Sequence, residues 1–486
     1  MQILSRNSVA HSNPLPVKVL QFGTGILLRG LPGFFIDKAN RQGIFNGSIA
    51  VVKSTPGSAD GFSEQDNLYT TIVKGVQDGV LADERFINSA ISSVLSANDH
   101  WPKILELAKN PAIQTIISNT TEVGIQYVEE SIFQHPPQSF PAKLLAFLYE
   151  KHKHSVQKPP PSEEVGGGRH VVVIPTELIP DNGTKLKEIV HRLVAFNRLE
   201  AAFATWLGEH VFFCNSLVDR IVTNASPEMR QSLPYQDRLA IQTEPYRLWA
   251  IEGGDAVRQI LSFAQADNGV VITGNIEYYR ERKLRLLNGA HTISVCLGFL
   301  RGFDTVYEMM RDAEMAAFLE KVMLDEIVPS IPVGEQADLR DFARDVLDRF
   351  RNPAMEHRLL NITLQATSKM RMRNVPTLLR HHAKFGGVPV KFAEGFAAYL
   401  LFMKAVKVED GNFYGLRNQE FYPIRDDFAG YFYEVWQTHA NDFPALALAV
   451  CQDAGLWGED LTQIPGFAEM VGEKLASLST SLAVAK

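Results

Sequence analysis

The residues best suited to chemistry lie in one stretch of the second half of the chain, which reads ERKLRLLNGAH over residues 281–291. It contains Lys283, Asn288 and His291. On an α-helix with 100° per residue, these three side chains fall within about 140° of one another. Asn288 and His291 are three residues apart and are therefore near neighbours on one face. The two small residues between them leave room for a ligand.

These residue types suit the reduction of a carbonyl group. A carbonyl that receives a hydride develops negative charge on its oxygen, so it needs a proton donor and neutral hydrogen-bond donors. A desolvated lysine can have its pKa lowered toward neutrality, which makes it an acid in one direction and a base in the other. Lys283 is suited to that role, and Asn288 and His291 to holding the oxygen. An ordinary helix with a surface lysine has the same spacing, so spacing alone leaves both interpretations open.

The N-terminal part of the chain is typical of a nucleotide-binding turn. The apolar run Val17–Phe22 predicts a buried strand, and it leads into Gly23-Thr24-Gly25. A helical stretch, Leu27–Asn40, and a second strand, Ile49–Val52, follow. Strand, glycine turn, helix and strand form the opening of a βαβ unit, in which the backbone can approach a pyrophosphate. The third glycine of the usual pattern is replaced by Leu28.

The coenzyme is not decided by the residues after the second strand. An acidic residue is expected there to bind the adenosine ribose of NAD. The strand instead ends at Val52-Lys53-Ser54, and Asp60 comes several residues later. Because Lys53 could tolerate a 2′-phosphate, the choice between NAD and NADP stays open on this evidence.

The hydrophobic pattern divides the chain into two parts. The first part alternates strands and helices, which predicts a doubly wound α/β domain over residues 1–246. After about Arg247 long amphipathic patterns dominate, which predicts a mainly α-helical domain over 247–486. The Pro- and Gly-rich segment 156–168 is predicted to be an exposed loop. Further strand-like runs are Thr71–Val73, Thr115–Ser118, Val171–Pro175 and Val211–Cys214, and amphipathic helical patterns cover 304–328, 336–350 and 431–452.

Composition excludes several classes of function. The 486 residues are too many for one core, and 45% hydrophobic with 21% charged residues is typical of a globular protein. The net charge of −7 leaves no basic face for nucleic acid. The longest apolar run is far too short to span a bilayer, and the N-terminus has no apolar signal core. The three cysteines are far apart and odd in number, which fits a reducing cytoplasm.

The spacing K-x-x-x-x-N-x-x-H within KLRLLNGAH resembles the signature of the polyol-specific long-chain dehydrogenases, the mannitol dehydrogenase family. Other segments resemble the same family in the same order along nearly the whole chain. They are Gly23 to Arg29, Gln65 to Thr70, Thr121 to Gly124, Asn215 with Val218 to Ile221, Glu244-Pro245 with Trp249 to Glu252, and Arg349-Phe350 with Asn352-Pro353.

The resemblance implies a Rossmann-like N-terminal domain, a helical C-terminal domain and an active site in the cleft. It implies metal-independent hydride transfer with NAD, with Lys283 as general acid/base assisted by Asn288 and His291. Asp219 and Arg349, with His357, are implied at the substrate. The implied cofactor-binding residues are Phe22, Gly23, Thr24, Gly25, Ile26, Leu27, Lys53, Asn119, Thr121 and Glu122. A cytoplasmic enzyme that acts on a small sugar acid, as a monomer or small homo-oligomer, is expected.

One departure from the family pattern points to the substrate. The mannitol and fructuronate branches usually carry a C-D-N-L-type segment, whereas this chain reads PTELIPDNG over residues 175–183. Glu177 stands where the asparagine would be, and the segment resembles the branch that acts on tagaturonate. Glu177 is therefore expected at the substrate, where a carboxylate could raise the pKa of Lys283.

The expected reaction is the reversible reduction of D-tagaturonate to D-altronate. Fructuronate reduction, polyol oxidation and an inactive nucleotide-binding sensor are the alternatives; a sensor is disfavoured because Lys283, Asn288 and His291 are all present. The substrate carboxylate needs a cationic partner. A structural role remains an alternative for each candidate, and Arg349 alone has support from the resemblance. The candidates are Arg285, Arg349, Lys369, Arg371 and Arg373.

Overall fold

The computed structural model describes residues 1–8, 15–55, 60–120, 123–157, 169–440 and 442–484. Thr121 and Glu122, and residues 158–168 of the predicted loop, lie outside the described residues. The chain divides into two compact units. Unit 1 comprises Met1–Lys74 and Leu81–Ile276, and unit 2 comprises Gly75–Val80 and Glu277–Lys486.

Unit 1 alternates strands and helices, as the sequence pattern predicts. Its strands are β1 (Val17–Phe22), β2 (Ser48–Lys53), β3 (Tyr69–Gln77), β4 (Val80–Asn88), β5 (Ile91–Ser96), β6 (Thr115–Ser118), β7 (Val171–Pro175), β8 (Val211–Phe213), β9 (Ser216–Asp219), β10 (Val222–Asn224), β11 (Ile241–Thr243), β12 (Leu248–Glu252) and β13 (Val270–Thr273). The last three residues of β3 and the first residue of β4 are assigned to unit 2. Its helices are α1 (Ile26–Gly30), α2 (Pro32–Arg41), α3 (Asp60–Ser63), α4 (Ala97–Leu107), α5 (Phe140–Gln157), α6 (Asn182–Phe196), α7 (Ala201–His210), α8 (Pro227–Gln231) and α9 (Asp255–Ile260), with 3₁₀ turns at Arg6–Ser8 and Ser262–Ala266.

The centre of unit 1 is a parallel sheet with the strand order β5-β2-β1-β6-β7-β8. Successive side chains of a strand point to opposite faces. Accordingly, Val19 of β1 packs in one apolar cluster with Phe35 of α2, whereas Leu20 packs in another with Trp101 of α4 and Leu144 of α5. Helices therefore cover both faces of the sheet, which confirms the predicted doubly wound α/β architecture.

The helix predicted over Leu27–Asn40 is divided into α1 and α2 at Leu31. The backbone of Leu31 has φ −125° and ψ −77°, outside the helical region. Pro32 is the cause, because the proline ring disfavours the helical conformation of the residue before it. Pro32 itself begins α2 without loss, since the first residue of a helix has no intrahelical use for its N–H.

Two smaller sheets complete unit 1. One has the order β10-β11-β3-β4 and the other β13-β12-β9. Strands β12 and β13 come after Arg247, and β12 pairs with β9 in antiparallel and with β13 in parallel register. Residues 248–273 therefore belong to unit 1.

Unit 2 is mainly helical, which confirms the second part of the predicted fold class. Its helices are α10 (Glu277–Arg282), α11 (Ala290–Leu300), α12 (Val306–Arg311), α13 (Ala313–Lys321), α14 (Gln336–Phe350), α15 (Leu359–Ile362), α16 (Ala366–Lys369), α17 (Val375–Phe385), α18 (Val390–Phe402), α19 (Ala429–Thr438), α20 (Phe443–Gln452), α21 (Ala454–Trp457) and α22 (Phe467–Val484). The other elements are π-helical segments at Lys283–Gly289, Val322–Ile327 and Met370–Asn374, 3₁₀ turns at Val328–Ser330 and Leu461–Gln463, and the antiparallel strands β14 (Lys407–Glu409), β15 (Asn412–Arg417) and β16 (Glu420–Ile424).

Helix α18 forms part of the core of unit 2. It is apolar around most of its circumference, which is typical of a helix buried on all sides. Phe396 packs against Trp457 with ring centroids 5.1 Å apart, and Tyr399 packs against Phe432 at 5.7 Å. No helix in the described part of the chain has the length and apolar composition needed to cross a membrane.

Candidate active site

The glycine turn follows β1. The structure requires glycine at one of its two glycine positions and leaves open space at the other. Gly23 has φ +117°, and a Cβ there would lie 2.7 Å from the backbone oxygen of Asn119. Both facts require glycine. At Gly25 a Cβ would meet only the Asn119 Oδ1 atom, at 4.0 Å. The fold therefore does not demand glycine at position 25, and the space beside it is available to a ligand such as a pyrophosphate.

The predicted cofactor residues gather at the carboxyl ends of three neighbouring strands. Phe22 ends β1, Lys53 ends β2, and Asn119 follows β6. The strand order reverses at β1, which lies between β2 and β6, and ligands of such sheets bind at the carboxyl ends beside this reversal. Lys53 donates from Nζ to the backbone oxygen of Thr55 at 2.5 Å. Thr24 lies in the turn itself, with Ile26 and Leu27 at the start of α1.

Glu177 is engaged with the loop that follows β6. Its side chain is buried, at 3% exposure. One carboxylate oxygen accepts hydrogen bonds from the backbone N–H and the hydroxyl of Thr120, at 2.8 and 3.0 Å, and the other accepts from the hydroxyl of Ser118 at 3.1 Å. The neighbouring Asn119 donates to the backbone and hydroxyl oxygens of Thr176. The segment after β7 thus holds the loop at the end of β6 in one conformation.

Several residues of the family-like segments support the glycine turn, a role that the sequence pattern did not reveal. Arg220, one residue after the buried Asp219, donates to the backbone oxygen of Gly30 at 2.6 Å and to that of Glu244 at 3.1 Å. Tyr69 donates to the backbone oxygen of Arg29 at 2.9 Å. These bonds attach the end of α1 to β3 and to the segments around β9 and β11. Hydrogen bonds between segments that are far apart in the chain leave no local signal in a sequence.

In unit 2 the backbone around Lys283 is not the predicted α-helix. Residues Lys283–Gly289 form a π-helical segment, and α11 follows it directly. The hydrogen bonds of a π-helix join residue i to residue i+5, so residues five apart lie one turn apart. Lys283 and Asn288 are five apart. The π segment therefore brings these two side chains closer to one face than an α-helix would. Both are half-buried.

His291 is a buried imidazole in a cationic neighbourhood. Its ring centroid lies 4.0 Å from that of Phe350 and 5.1 Å from that of His357. Burial lowers the pKa of His291 well below its usual range, and the charges of His357 and Arg349 lower it further. The ring is therefore neutral at physiological pH. Among the residues that the structure describes, none makes a hydrogen bond to its Nδ1 atom.

The predicted substrate residues are divided between the two units. Arg349 is buried near the end of α14, and His357 packs against His291. Burial and the charge of Arg349 lower the pKa of His357. Asp219 is buried at the end of β9 in unit 1, as Glu177 is after β7. Unit 2 thus brings His291, Arg349 and His357 into one neighbourhood.

A buried ion pair connects the π segment of Lys283 to a second π segment, Met370–Asn374. Arg285 donates to both carboxylate oxygens of Glu281, at 3.2 and 3.1 Å. It also donates to the backbone oxygens of Met372 and Arg373, at 2.7 and 2.9 Å. In the same contact, Asn374 donates to the backbone oxygen of Gly289 at 3.1 Å. Arg285, a candidate partner for the substrate carboxylate, is therefore a structural residue.

We expect Arg285→Met to destabilise the protein by about 3 kcal/mol, because Glu281 would remain buried with one of its cations removed. The turnover number should fall as well, since the π segment that carries Lys283 loses its attachment. Chemical denaturation followed by circular dichroism measures the first effect, and steady-state kinetics the second.

Arg280→Met is the matched control for Arg285→Met. Arg280 forms a partly exposed ion pair with Glu277 at 3.0 Å, and such pairs contribute less than about 1 kcal/mol. Equal stability losses in the two variants would contradict the role assigned to Arg285.

Within the described ranges, no group of three or more His, Cys, Asp or Glu residues is arranged to hold a metal ion. The polar groups of Lys283, Asn288 and His291 are an amine, an amide and an imidazole, which can donate hydrogen bonds and carry a proton.

A parallel sheet with a glycine turn beside its strand reversal, followed by a helical unit, defines a dinucleotide-binding α/β protein. Residues 17–263 match the family model of the mannitol dehydrogenase Rossmann domain, and residues 275–479 match that of the mannitol dehydrogenase C-terminal domain. The chain belongs to the mannitol dehydrogenase family, and it is an oxidoreductase that acts on CH–OH groups. The resemblance found in the sequence motifs is thereby confirmed.

Three similar relatives carry one name, altronate oxidoreductase. The protein of Halalkalibacterium halodurans is 37% identical over 97% of this chain and 93% of its own length. That of Bacillus subtilis is 36% identical over 97% and 94%. That of Pectobacterium carotovorum is 35% identical over 98% and 97%.

Two solved structures share the fold across almost the whole chain. Pseudomonas fluorescens mannitol 2-dehydrogenase, in a ternary complex with NAD and D-mannitol, has a TM-score of 0.64 and 22% identity, covering 100% of this chain and 99% of that one. A D-sorbitol dehydrogenase in substrate-free form has a TM-score of 0.73 and 19% identity, with 95% of each chain covered. At these identities the likeness concerns the fold.

Proposed function

We propose that this protein catalyses the reversible, NAD-dependent reduction of D-tagaturonate to D-altronate. The observation that carries the proposal is the similarity to altronate oxidoreductases at 35–37% identity over 97–98% of the chain. Tagaturonate and altronate are the ketone and the alcohol of one sugar acid, so one CH–OH group is interconverted. We expect a small-molecule substrate, a cytoplasmic location and a monomer or small homo-oligomer.

We assign the proton transfer to Lys283. When a ketone is reduced, its oxygen becomes a hydroxyl group and must receive a proton. Lys283 is half-buried in the π segment, one turn from Asn288, which supports the assignment of the amine and the amide to one substrate oxygen. In the oxidation of altronate the neutral amine takes the proton from the hydroxyl group.

Asn288 and His291 are the proposed hydrogen-bond donors to the reacting oxygen. His291 serves as a neutral donor rather than as an acid, because burial and neighbouring charges keep the imidazole unprotonated. A neutral donor stabilises the developing negative charge without competing for the proton that Lys283 supplies. We assign Arg349, His357 and Asp219 to substrate binding. Glu177 is also assigned to substrate binding, and its three hydrogen bonds to Ser118 and Thr120 would hold its carboxylate in position.

The dinucleotide is assigned to the carboxyl end of the sheet in unit 1. When bound, NADH would supply the hydride for reduction of the ketone, and NAD⁺ would accept it in the reverse reaction. The open space beside Gly25 fits a pyrophosphate, and Asn119 and Lys53 flank the turn on the neighbouring strands. We assign Phe22 to Leu27, Lys53 and Asn119 to cofactor binding on this basis. Thr121 and Glu122 keep the assignment that the family resemblance gives them.

Steady-state kinetics with three substrates tests the proposed function. With NADH we expect kcat/KM for D-tagaturonate to exceed that for D-fructuronate and for D-fructose by about 100-fold or more, since selective sites reject analogues that leave their polar groups unpaired. NADPH should be a poorer coenzyme than NADH. A preference for fructose would identify a polyol dehydrogenase, and no turnover with any of these substrates would favour a nucleotide-binding sensor.

A further inference from the structure

Two cationic side chains that the proposed mechanism does not use lie beside His291. Lys369 is the last residue of α16, and Arg373 lies four residues later in the π segment Met370–Asn374. Both are half-buried. The positive charge of each contributes to lowering the pKa of His291, after the larger effects of burial, His357 and Arg349. Lys369 and Arg373 therefore face the same neighbourhood as the proposed reacting groups.

Within the described residues, the hydrogen bonds of both side chains go to neutral oxygens. Lys369 donates to the backbone oxygen of Ile362 at 2.9 Å, and Arg373 donates to the hydroxyl of Thr292 at 3.2 Å. In the part of the chain that the structure describes, no carboxylate oxygen lies within 4.0 Å of a side-chain nitrogen of Lys369 or Arg373. Asp426 interacts with Lys369 at longer range.

Two like charges in a partly buried place favour an anionic ligand. Burial lowers the pKa of both Lys369 and Arg373, and the charge of Arg373 lowers that of Lys369 further. An anionic ligand bound beside the two cations would offset their mutual repulsion. The carboxylate of Asp426 is engaged elsewhere, because it accepts from the backbone N–H groups of Thr367 and Phe428 at 2.8 and 3.0 Å.

A short chain of hydrogen bonds links Arg373 to the groups assigned to the ketone oxygen. Arg373 donates to the hydroxyl of Thr292, and that hydroxyl donates to the backbone oxygen of Asn288 at 2.8 Å. Thr292 is the residue that follows His291. The guanidinium of Arg373 is thus linked through the Thr292 hydroxyl to the segment that carries Asn288 and His291.

We propose that Lys369 and Arg373 form the subsite that binds the carboxylate of the sugar acid. This inference rests on the proposed function and deepens it, since it states which side chains make the enzyme prefer a uronate to a neutral ketose. Arg373 supplies a planar, bidentate donor, and Lys369 adds a second positive charge.

The other cationic candidates have different partners. Arg285 is committed to Glu281, and the exposed Arg371 donates to the backbone oxygen of Gly455. Arg349 has an acidic neighbour in Asp345: burial and the charge of Asp78 raise the pKa of this carboxyl to about 6, although the charge of Arg349 lowers it. Its charge is therefore partly balanced within the protein.

The test measures selectivity, so that a general loss of activity does not imitate the expected result. For Arg373→Met and Lys369→Met, kcat/KM is determined with D-tagaturonate and with D-tagatose, which carries a hydroxymethyl group in place of the carboxylate. We expect the ratio of the two values to fall by about 10- to 100-fold in each variant, as loss of a charged hydrogen bond predicts. Arg371→Met is the matched control and should keep the wild-type ratio.

The outcomes separate this inference from the proposed function. If wild-type enzyme reduces D-tagaturonate but the ratio is unchanged in both variants, the subsite is disproved and the proposed function stands. If wild-type enzyme does not reduce D-tagaturonate, the proposed function fails and the inference fails with it. Should Arg373→Met not fold, Lys369→Met and the milder Arg373→Lys decide the question, because either must still lower the ratio.

Discussion

Lys283→Ala should lower kcat for D-tagaturonate reduction by about 1000-fold or more, the upper range of what a positioned proton donor contributes. The amine stands one π-helical turn from Asn288, and alanine leaves the developing alkoxide without its proton donor. NADH affinity, measured by titration of nicotinamide fluorescence, should stay within about twofold of the wild-type value. The assigned role of Lys283 is to stabilise the transition state, and coenzyme binding in the ground state does not depend on that interaction.

Two further variants distinguish a proton donor from a mere positive charge. Lys283→Arg keeps the charge, but a guanidinium does not deprotonate in the physiological range, so its kcat should also remain low. Lys384→Ala is the matched control, since this lysine is exposed and donates to the backbone oxygen of Pro329 at 2.9 Å. It should retain normal turnover. Near-normal turnover of Lys283→Ala would remove Lys283 from its assigned role.

Gly23→Ala should weaken NADH binding by about 10- to 100-fold, which corresponds to the strain of a left-handed backbone with an added Cβ. The φ of +117° is unfavourable for alanine, and the new methyl group would lie 2.7 Å from the backbone oxygen of Asn119. The turn or the loop after β6 must then move, and both carry residues assigned to the cofactor. Isothermal titration with NADH gives the affinity.

Gly43→Ala provides the control for backbone strain alone. Gly43 has φ +69°, but a Cβ there would meet nothing within 4 Å. This variant should lose some thermal stability and bind NADH normally. If Gly23→Ala bound NADH as tightly as Gly43→Ala does, the turn after β1 would not be the cofactor site.

The sequence by itself was sufficient for the fold class. Buried parallel strands are continuous apolar runs, so β6 at Thr115–Ser118 and β7 at Val171–Pro175 were predicted with the bounds that the structure shows. An amphipathic helix repeats its apolar residues every three or four positions, and α14 at Gln336–Phe350 was predicted equally well. Such signals are local, because each element's own periodicity records which face it buries. The family could be identified from the sequence for the same reason, because each of its motifs is a short continuous stretch of the chain.

The tertiary structure decided what the groups of the site touch and which of them are charged. The sequence predicts an α-helix for Lys283 and Asn288, whereas the structure has a π-helical segment there. Helix propensities do not predict a π-helix, and this one is held by hydrogen bonds to the second π segment. The motif around Glu177 predicts a place at the substrate, and the structure adds that its carboxylate accepts hydrogen bonds from residues almost sixty positions earlier. The neutrality of His291 likewise depends on burial and on charges brought from α14 and beyond. Desolvation and long-range contacts depend on the complete packed fold, and a linear pattern carries no record of them.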